Sequence, residues 1–285
     1  MKYYVVDAFA DQAFGGNPAG VVVSDGPLEK EFMQKFAREM RFSETVFSYK
    51  DGKEVVARFF TPEEEVPLCG HATVALFSLL REENFLQVGN HKMKTINDVL
   101  EIALAEEKVF FQGESPVLKD DVFSVVELSE IFGIPVSGIW DDRYKLIPMA
   151  SSTGLVDLML PLKSKDLLHN LQPDFQELKF FSFDNDLCGV HAFTLDADGY
   201  IAETRNFAPL YGIDEEAATG TATGALTWYL YKNEVIKDFD TEFQFLQGVS
   251  MGRPSIIHSV LKNKENPKVY VGGSAKVLTA GEVRI

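Results

Sequence analysis

A duplicated construction constrains the fold of this chain more than any other feature of its sequence. The segment Arg-Phe-Phe-Thr-Pro at 58–62 has a counterpart, Arg-Asn-Phe-Ala-Pro, at 205–209. The segment Cys-Gly-His-Ala-Thr-Val-Ala-Leu at 69–76 likewise has a counterpart, Thr-Gly-Thr-Ala-Thr-Gly-Ala-Leu, at 219–226. The offsets are nearly constant, at 147 residues (58 to 205) and 150 residues (69 to 219). This spacing predicts two similar halves, each leading an extended segment through a loop into a helix that begins with small and hydroxyl residues.

The two predicted helix starts favour a negatively charged ligand. The first N–H groups of a helix have no partner within the helix, and the positive end of the helix dipole adds to their attraction for an anion. If the two starts face each other, a small anion would bind between the halves.

The composition limits the partners of the chain. Its 43 acidic and 27 basic side chains give a net charge of −16, which argues against nucleic acid or an anionic membrane as a partner. An anionic substrate must therefore be held by backbone amides or individual side chains. Two cysteines cannot form a disulfide framework, and neither a signal peptide nor an apolar run of about 18 residues is evident. We therefore expect a globular cytoplasmic protein.

Hydrophobic patterning predicts strands with few helices in both parts of the chain. In the first part it predicts a helix over 28–40, another near 70, and strands at 2–9, 19–23, 44–49, 54–60, 92–95, 99–104 and 108–112. In the second part it predicts a helix near 221–232 and strands at 145–149, 156–160, 190–195, 200–207, 242–246, 255–260, 268–271 and 276–285. The second order roughly repeats the first, which places a boundary near 113–119.

Cys69 and His71 flank the predicted start of the first repeated helix. The positive helix end disfavours an imidazolium, so His71 would be a neutral ring that hydrogen-bonds a substrate. The alternative is a capping or packing histidine. The same field favours a thiolate at Cys69, although a small buried cysteine is the alternative interpretation.

Carboxylates and hydroxyls supply the other candidates. Glu44 lies at a loop-to-strand junction, where it could act as a general acid or base, or could simply be a surface turn residue. The second helix start places Thr219, Gly220 and Thr221 after the acidic run 214–216. Glycine allows close backbone approach and threonine adds donors, whereas the alternative is an ordinary acidic cap.

No sequence motif indicates a metal or a cofactor. The remaining histidines lack the spacing of a metal site, and the chain has neither a P-loop nor a dinucleotide-binding glycine motif. We therefore expect a protein that works without a cofactor.

Six motifs, in order and spanning nearly the whole chain, together resemble the PhzF-like family of phenazine-biosynthesis isomerases. They are DAFADQAFGGNPAGVV at 7–22, FSETVF at 42–47, RFFTPEEEVPLCGHATVA at 58–75, GIDEEAATGTATGAL at 212–226, QGVSMGRPS at 247–255 and VYVGGSAKVLTAGEV at 269–283.

The resemblance implies an α+β fold like that of diaminopimelate epimerase. Two pseudo-symmetric halves would each curl a mostly antiparallel β-sheet around a central helix, with the active site in the cleft between them. The halves would comprise residues 1–115 with a final strand at about 274–285, and residues 116–273. Family members are typically cofactor-independent and often dimeric, so the resemblance also implies a homodimer.

The resemblance also assigns roles to site residues. The glutamate of the family's Ser-Glu-Thr motif, its general acid/base, falls on Glu44, and the histidine of its Gly-His motif falls on His71. The family's Asp-Pro-x-Thr-Gly-Ser pattern corresponds to residues 216–221, with Glu216 in place of aspartate and Thr221 in place of serine. These four residues are the predicted catalytic set. The predicted substrate-binding residues are Cys69, Gly70, Thr219 and Gly220.

The motifs favour an isomerase that moves a proton within a small carboxylate-bearing metabolite, and they leave two alternatives open. The epimerase relatives use two opposed cysteines, which correspond here to Cys69 and Thr219. Because threonine cannot replace a thiolate as a carbon base, the first alternative is a racemase that pairs Cys69 with Glu44 or Glu216. The second is a metabolite-binding protein that keeps the fold without catalysis.

Overall fold

The computed structural model describes residues 1–141 and 143–284, which form two compact units. The first unit comprises Met1–Gln112 with Gly272–Ile285, and the second comprises Gly113–Val271. Ile285, the last residue of the predicted final strand, lies outside the described residues. Each unit combines many strands with few helices, so the predicted α+β class is confirmed.

Strands and helices are numbered in chain order. The strands of the first unit are β1 (Lys2–Ala8), β2 (Asn17–Val23), β3 (Thr45–Asp51), β4 (Glu54–Phe60), β5 (Glu65–Val66), β6 (Gly89–Lys94), β7 (Val99–Leu104), β8 (Val109–Gln112) and β18 (Ala275–Glu282). Its helices are α1 (Lys30–Met40) and α2 (Gly70–Glu82). They pair in the spatial order β18-β1-β2-β3-β4-β6-β7-β8, with β5 beside β4. The pairs β2–β3 and β4–β6 are parallel and the others are antiparallel.

Helix α2 is the core of the first unit. It contacts β18, β1, β2 and β3 at one end of the strand order and β7 and β8 at the other, so the sheet curls around it. Every residue from His71 to Leu80 is buried, as expected for a helix that is surrounded by strands. Helix α1 covers the opposite face of the sheet, where Met33 and Ala37 pack with Val22, Phe47 and Phe60.

The second unit has strands β9 (Val117–Leu118), β10 (Met149–Ser152), β11 (Val156–Pro161), β12 (Gly189–Thr194), β13 (Ala202–Ala208), β14 (Ile213–Glu216), β15 (Glu242–Gln247) and β16 (Ser255–Lys262). Strand β17 (Lys268–Gly273) runs across the boundary between the units. The helices are α3 (Val125–Phe132), α4 (Lys165–His169), α5 (Phe175–Asp184) and α6 (Gly220–Lys232). The strand order is β9-β10-β11-β12-β13-β15-β16, with β14 beside β13.

The pairing of the second unit repeats that of the first. In the second unit two pairs are parallel, β11–β12 and β13–β15, and the antiparallel pairs are β10–β11, β12–β13, β13–β14 and β15–β16. The equivalent pairs of the first unit run the same way. There β2–β3 and β4–β6 are parallel, and the antiparallel pairs are β1–β2, β3–β4, β4–β5 and β6–β7. Helix α6 takes the place of α2, and most of its residues from Gly220 to Leu230 are buried. The duplicated sequence thus corresponds to a duplicated fold.

The repeated segments also make repeated contacts. Arg58 donates hydrogen bonds from Nε and Nη2 to the two carboxylate oxygens of Glu65, at 2.7 and 2.8 Å. Arg205 does the same to Glu215, at 2.8 and 2.8 Å. Each arginine also lies over the phenylalanine two residues further on, at 5.4 and 5.0 Å from the ring centroid. In both units this bidentate pair ties a long strand to the short strand that precedes the central helix.

Two parts of the second unit differ from the sequence prediction. The strand predicted at 145–149 is found at Met149–Ser152, and helices α3, α4 and α5 were not predicted. In α5, Leu178 and Phe181 face the core, but Phe180 and Phe183 are exposed, so the apolar pattern has no clear helical period. None of the described helices is both long and apolar enough to cross a membrane.

Candidate active site

Cys69, Gly70 and His71 lie at the first turn of α2. Cys69 is the N-cap residue and has an extended backbone, with φ −138° and ψ 122°. Its carbonyl accepts hydrogen bonds from the backbone N–H of Thr73 at 3.0 Å and from Thr73 Oγ1 at 2.7 Å. A Cβ at Gly70 would lie 3.0 Å from the ring of Phe111, so glycine is the residue that fits this close approach.

The imidazole of His71 is buried and is surrounded by four polar groups. Its Nδ1 lies 3.2 Å from Asn17 Nδ2 and 3.4 Å from Cys69 Sγ. Its Nε2 lies 3.5 Å from Ser43 Oγ and 3.3 Å from Glu44 Oε2. The ring is thus fixed from both sides, with one nitrogen directed to an amide and a thiol and the other to a hydroxyl and a carboxylate.

Glu44 immediately precedes strand β3, and its side chain is 13% exposed. The backbone carbonyl of Glu44 accepts a hydrogen bond from the N–H of Gly20 on the neighbouring strand, which fixes the position of the residue. Oε2 is buried, and although His71 Nε2 is 3.3 Å away, this oxygen accepts no hydrogen bond from the described residues. A buried carboxylate oxygen without a hydrogen bond is costly, so such an oxygen is typical of a site that meets a ligand or transfers a proton.

Glu65, the last of the three glutamates before the helix, has a structural role. Its carboxylate is 3% exposed and contacts both Arg58 and Lys30. The hydrogen bonds from Arg58 hold the pKa of Glu65 below its ordinary value, despite the opposing effect of burial. Glu65 therefore stays ionised and cannot exchange protons readily near neutral pH.

The corresponding start of α6 in the second unit is held by a glutamine. Thr219 Oγ1 donates a hydrogen bond to Glu216 Oε2 at 2.6 Å. Gln247, which is fully buried, accepts from the N–H of Thr219 at 3.1 Å and donates to the carbonyl of Glu216 at 2.8 Å. Thr221 is half-buried, and its carbonyl accepts from Thr153 Oγ1 at 3.1 Å. Glu216, Thr219, Gly220 and Thr221 thus form a second ordered cluster.

The second unit has no counterpart of Glu44. Phe60 and Phe207 are equivalent residues of the repeat. Thr45 pairs with Phe60, and Val190 pairs with Phe207, so Thr45 corresponds to Val190. The residue before each of these is Glu44 in the first unit and Gly189 in the second. A Cβ at Gly189 would lie 2.2 Å from the carbonyl oxygen of Phe207, so no side chain fits there. Only the first unit can place a carboxylate at this position.

Burial shifts the pKa of three groups elsewhere in the second unit, namely Asp157, His191 and Cys188. Burial raises the pKa of Asp157 to about 7 and lowers the pKa of His191 to about 3. Burial, with Asp157 and Glu216 nearby, raises the pKa of Cys188 above its ordinary range. Cys188 is therefore a protonated thiol at neutral pH and a poor nucleophile.

The structure brings Glu44, Cys69 and His71 together, and it brings Glu216 and Thr219 together. Further polar residues that contact these clusters and were not predicted include Asn17, Ser43 and Gln247. In the sequence, the available signal was that Asn17 follows Gly16 and Gln247 precedes Gly248, whereas the burial of both side chains is known from the structure. Their partners are 54 and 28 residues away, so only the folded structure identifies the contacts.

A curled sheet around a central helix in each unit is the fold of racemase- and epimerase-like proteins. A probable proline racemase of Agrobacterium radiobacter superposes with a TM-score of 0.66 at 12% identity, covering 100% of this chain and 93% of the other, a likeness of fold alone. A PhzF-family phenazine biosynthesis protein of Bacillus anthracis superposes with a TM-score of 0.91 at 27% identity, covering 100% of this chain and 99% of the other.

The chain belongs to the phenazine biosynthesis-like protein family, whose model matches residues 6–281. An uncharacterized isomerase of Clostridium acetobutylicum is 33% identical, covering 98% of this chain and 97% of the relative. The trans-2,3-dihydro-3-hydroxyanthranilate isomerase of Pseudomonas fluorescens is 29% identical, covering 98% and 97%. The predictions of the family, of the epimerase-like fold and of an isomerase are therefore confirmed.

Proposed function

We propose that this isomerase moves a proton between two carbon atoms of a small carboxylate-bearing metabolite, with Glu44 as the base and then the acid, and without a cofactor. The observation that carries the proposal is the buried Oε2 of Glu44, which accepts no hydrogen bond from the described residues and lies 3.3 Å from His71. A general base needs an oxygen that can reach a substrate proton, and this oxygen meets that need.

In the proposed reaction one residue, Glu44, both removes the proton and returns it. Ionised Glu44 removes a proton from a carbon atom next to a double bond, and the electron pair of the broken C–H bond shifts through that double bond. Protonated Glu44 then delivers the proton to the far carbon, so the carboxylate is regenerated. His71 positions Glu44 and hydrogen-bonds the substrate during both steps.

The absence of a second base at Gly189 supports this one-base scheme. A racemase or epimerase that works from two sides needs an acid and a base on opposite faces of one carbon. The second repeat has glycine where the first has Glu44 and threonine where the first has Cys69. A single carboxylate that moves a proton along the substrate needs neither.

We propose further that the two helix starts bind the substrate. The amide of Gly70 and the cluster of Glu216, Thr219, Gly220 and Thr221 offer N–H and hydroxyl donors, which suit a carboxylate and its neighbouring polar groups. The carboxylate of Glu216 accepts a hydrogen bond from Thr219 at 2.6 Å, so it would suit an amino or hydroxyl group of the substrate. The support is the local order of each helix start and the family resemblance.

The named activity of the Pseudomonas fluorescens relative suggests a substrate class. We propose a cyclic unsaturated amino or hydroxy carboxylate, in which a C–H bond lies next to a double bond. Glu216 and Thr221 are larger than the aspartate and serine of the family pattern, so the preferred ligand is expected to differ in shape from that of the relative.

A racemase that uses Cys69 is the second candidate, and one observation favours it. Cys69 Sγ lies 3.4 Å from His71 Nδ1, a contact through which a histidine can activate a thiol. This candidate predicts that alkylation of Cys69 abolishes activity.

We also propose that the protein is a cytoplasmic homodimer, as the family resemblance implies. Light scattering on the purified protein, run behind size exclusion, tests the dimer. A mass near 31.8 kDa would contradict it, because that is the mass of one chain.

The test of the proposed function is hydrogen exchange with solvent. The protein is incubated in D₂O with a panel of amino carboxylates and cyclic unsaturated carboxylates, and deuterium at carbon is followed by NMR. The proposal predicts exchange by the wild type, none by Glu44→Gln, and normal exchange by Glu39→Gln, a matched change at an exposed site on α1. Binding of a panel member with neither isomerisation nor exchange would contradict the proposed catalysis, because the one-base scheme can return the same proton to the substrate.

A further inference from the structure

We infer that the phenyl ring of Phe14 stacks on the ring of the substrate and thereby selects flat, unsaturated rings over saturated ones. Phe14 lies in the loop between β1 and β2 and is 73% exposed. The inference rests on the proposed function for the cyclic substrate, but it concerns binding and not proton transfer. It gives a role to a residue that the proposed reaction does not use.

The backbone of Phe14 has a conformation that is unusual for a bulky residue. Its φ is +67°, in the left-handed region that favours glycine, asparagine and aspartate. Ten described residues other than glycine have a positive φ, and eight of them are polar or charged. The other two are Phe9 and Phe14, both in this loop. Strain of this kind is typical of functional sites.

Packing explains the conformation of Phe9 but not that of Phe14. Phe9 is fully buried, so its contacts with the core offset the strain. Phe14 is more exposed than any other phenylalanine that the structure describes. The fold thus holds an apolar ring in solvent, in a strained conformation, without gaining core contacts. A ligand that covers the ring would supply the missing contacts.

The loop that carries Phe14 is held in place on both sides of it. Asp7, which is fully buried, accepts a hydrogen bond from the N–H of Phe14 at 2.9 Å. A Cβ at Gly16 would lie 2.2 Å from the carbonyl oxygen of Ala8, so the chain passes close to β1 where only glycine fits. Because the loop is ordered before a ligand arrives, little conformational entropy is lost on binding.

Phe14 lies close to the residues around His71. Asn17, three residues further on, has its amide 3.2 Å from His71 Nδ1. Three residues span at most about 11 Å, so the loop places Phe14 beside the candidate active site. Leu68 is also exposed, at 37%, and precedes Cys69, whose Sγ lies 3.4 Å from the same nitrogen. Two exposed apolar side chains thus adjoin residues that contact the imidazole.

The proposed one-base reaction leaves one face of the substrate ring free. A C–H bond that breaks next to a double bond must stand roughly perpendicular to the conjugated plane, so the base approaches from one face. Because Glu44 both removes and returns the proton, both steps take place on that face. The opposite face carries no reacting group and can stack on a phenyl ring. Stacking also holds the substrate in one orientation, as proton transfer requires.

The test compares two carboxylates that differ only in the saturation of the ring, benzoate and cyclohexanecarboxylate. Isothermal titration calorimetry gives the dissociation constants without any catalysis. The wild type is expected to bind benzoate more tightly than cyclohexanecarboxylate. Phe14→Asn is expected to raise the dissociation constant for benzoate about tenfold, with a much smaller effect on cyclohexanecarboxylate. Phe14→Tyr keeps a ring and is expected to stay within about threefold of the wild type.

The matched control is Phe183→Asn, because Phe183 is 69% exposed and belongs to the second unit. It is expected to leave both dissociation constants unchanged. The inference is wrong if Phe14→Asn binds benzoate as tightly as the wild type does. It is also wrong if the wild type does not prefer benzoate to cyclohexanecarboxylate. Neither result bears on Glu44, whose role the exchange experiment decides, so the two proposals can fail separately.

Thermal unfolding provides a second readout that needs no ligand. Asparagine adopts the left-handed conformation more readily than phenylalanine, so Phe14→Asn is expected to raise Tm by about 2 °C. Phe14→Tyr retains the strain and is expected to keep the wild-type Tm. A gain in stability together with a loss of binding indicates a residue kept for its ligand. A Tm of Phe14→Asn below that of the wild type would show that the ring supports the fold, and would overturn the inference.

Discussion

The imidazole Nε2 of His71 lies 3.3 Å from the buried Oε2 of Glu44, and this contact joins the first turn of the central helix to the start of a neighbouring strand. The two residues are 27 positions apart in the sequence, and the curled sheet brings them together. Because the oxygen accepts no hydrogen bond from the described residues, the contact leaves its lone pair for a substrate proton.

Cys69→Ser separates the one-base isomerase from the thiol racemase. If Glu44 is the base, the serine variant is expected to keep kcat within about tenfold, because the hydroxyl preserves the local contacts. If the thiolate is a base, kcat is expected to fall by about 10² to 10⁴. The measurement is kcat for the substrate found in the exchange panel, with Cys188→Ser as the control.

Gln247→Leu tests how the second helix start is held. The change removes the acceptor for the N–H of Thr219 and the donor to the carbonyl of Glu216. Buried groups left without partners cost about 1–3 kcal/mol, so the free energy of unfolding is expected to fall by that order. KM is expected to rise more than kcat falls, because Glu216 and Thr219 lose their support but Glu44 does not. A KM equal to that of the wild type would show that Gln247 has no positioning role.

Arg205→Met tests the repeated ion pair. The side chains of Arg205 and Glu215 are 10% and 15% exposed, so the change leaves a largely buried carboxylate without its partner. Removing one member of a buried pair typically costs about 3–5 kcal/mol in the free energy of unfolding. Urea unfolding followed by tryptophan fluorescence measures the loss.

The control for Arg205 is an exposed pair. Lys35 and Glu31 are joined at 2.6 Å but are 73% and 80% exposed. Lys35→Met is expected to leave the free energy of unfolding nearly unchanged, because solvent screens the pair. If the two variants lose the same free energy of unfolding, the buried pair of Arg205 and Glu215 does not have the expected stabilising role.

Asp157→Asn tests the buried carboxyl of the second unit. Burial raises the pKa of Asp157 to about 7, well above its value in the unfolded chain. Between about pH 4 and pH 7 the folded protein therefore holds a proton that the unfolded chain has released, and stability falls as the pH rises. The group stabilises the fold least above pH 7, where folding must bury a charge.

The asparagine variant stays neutral at every pH. As the pH rises from about 5 to 8, the free energy of unfolding of the variant is expected to fall less than that of the wild type, by on the order of 2–3 kcal/mol. The comparison uses urea unfolding of both proteins at the two pH values. Parallel pH profiles would show that Asp157 does not carry this dependence.

The duplicated motifs made the fold predictable, but they did not reveal the partners of the repeated side chains. Arg58 and Arg205 recur at fixed positions in the sequence, whereas their glutamates lie 7 and 10 residues further on. The pairs form because a short strand folds back beside the long strand in each unit, which spacing alone does not show. Asn17 and Gln247 were missed for the same reason, since each contacts a distant segment.

The functional asymmetry of the repeats was only partly visible in the sequence. The threonine at 219, in place of a second thiol, could be identified by aligning the motifs. The loss of the carboxylate at Gly189 required the strand register, because the segments around Glu44 and Gly189 are not similar in sequence. Helix α5 was hidden by its two exposed phenylalanines.

The most direct test of the central claim compares Glu44→Gln with the wild type on the substrate found in the exchange panel, measuring kcat and the dissociation constant together. Glutamine has nearly the same shape as glutamate but cannot accept the proton. The account predicts that kcat falls by about 10² to 10⁴, while the dissociation constant stays within a few-fold of the wild-type value. An unchanged kcat would contradict the assignment of Glu44 as the acid/base.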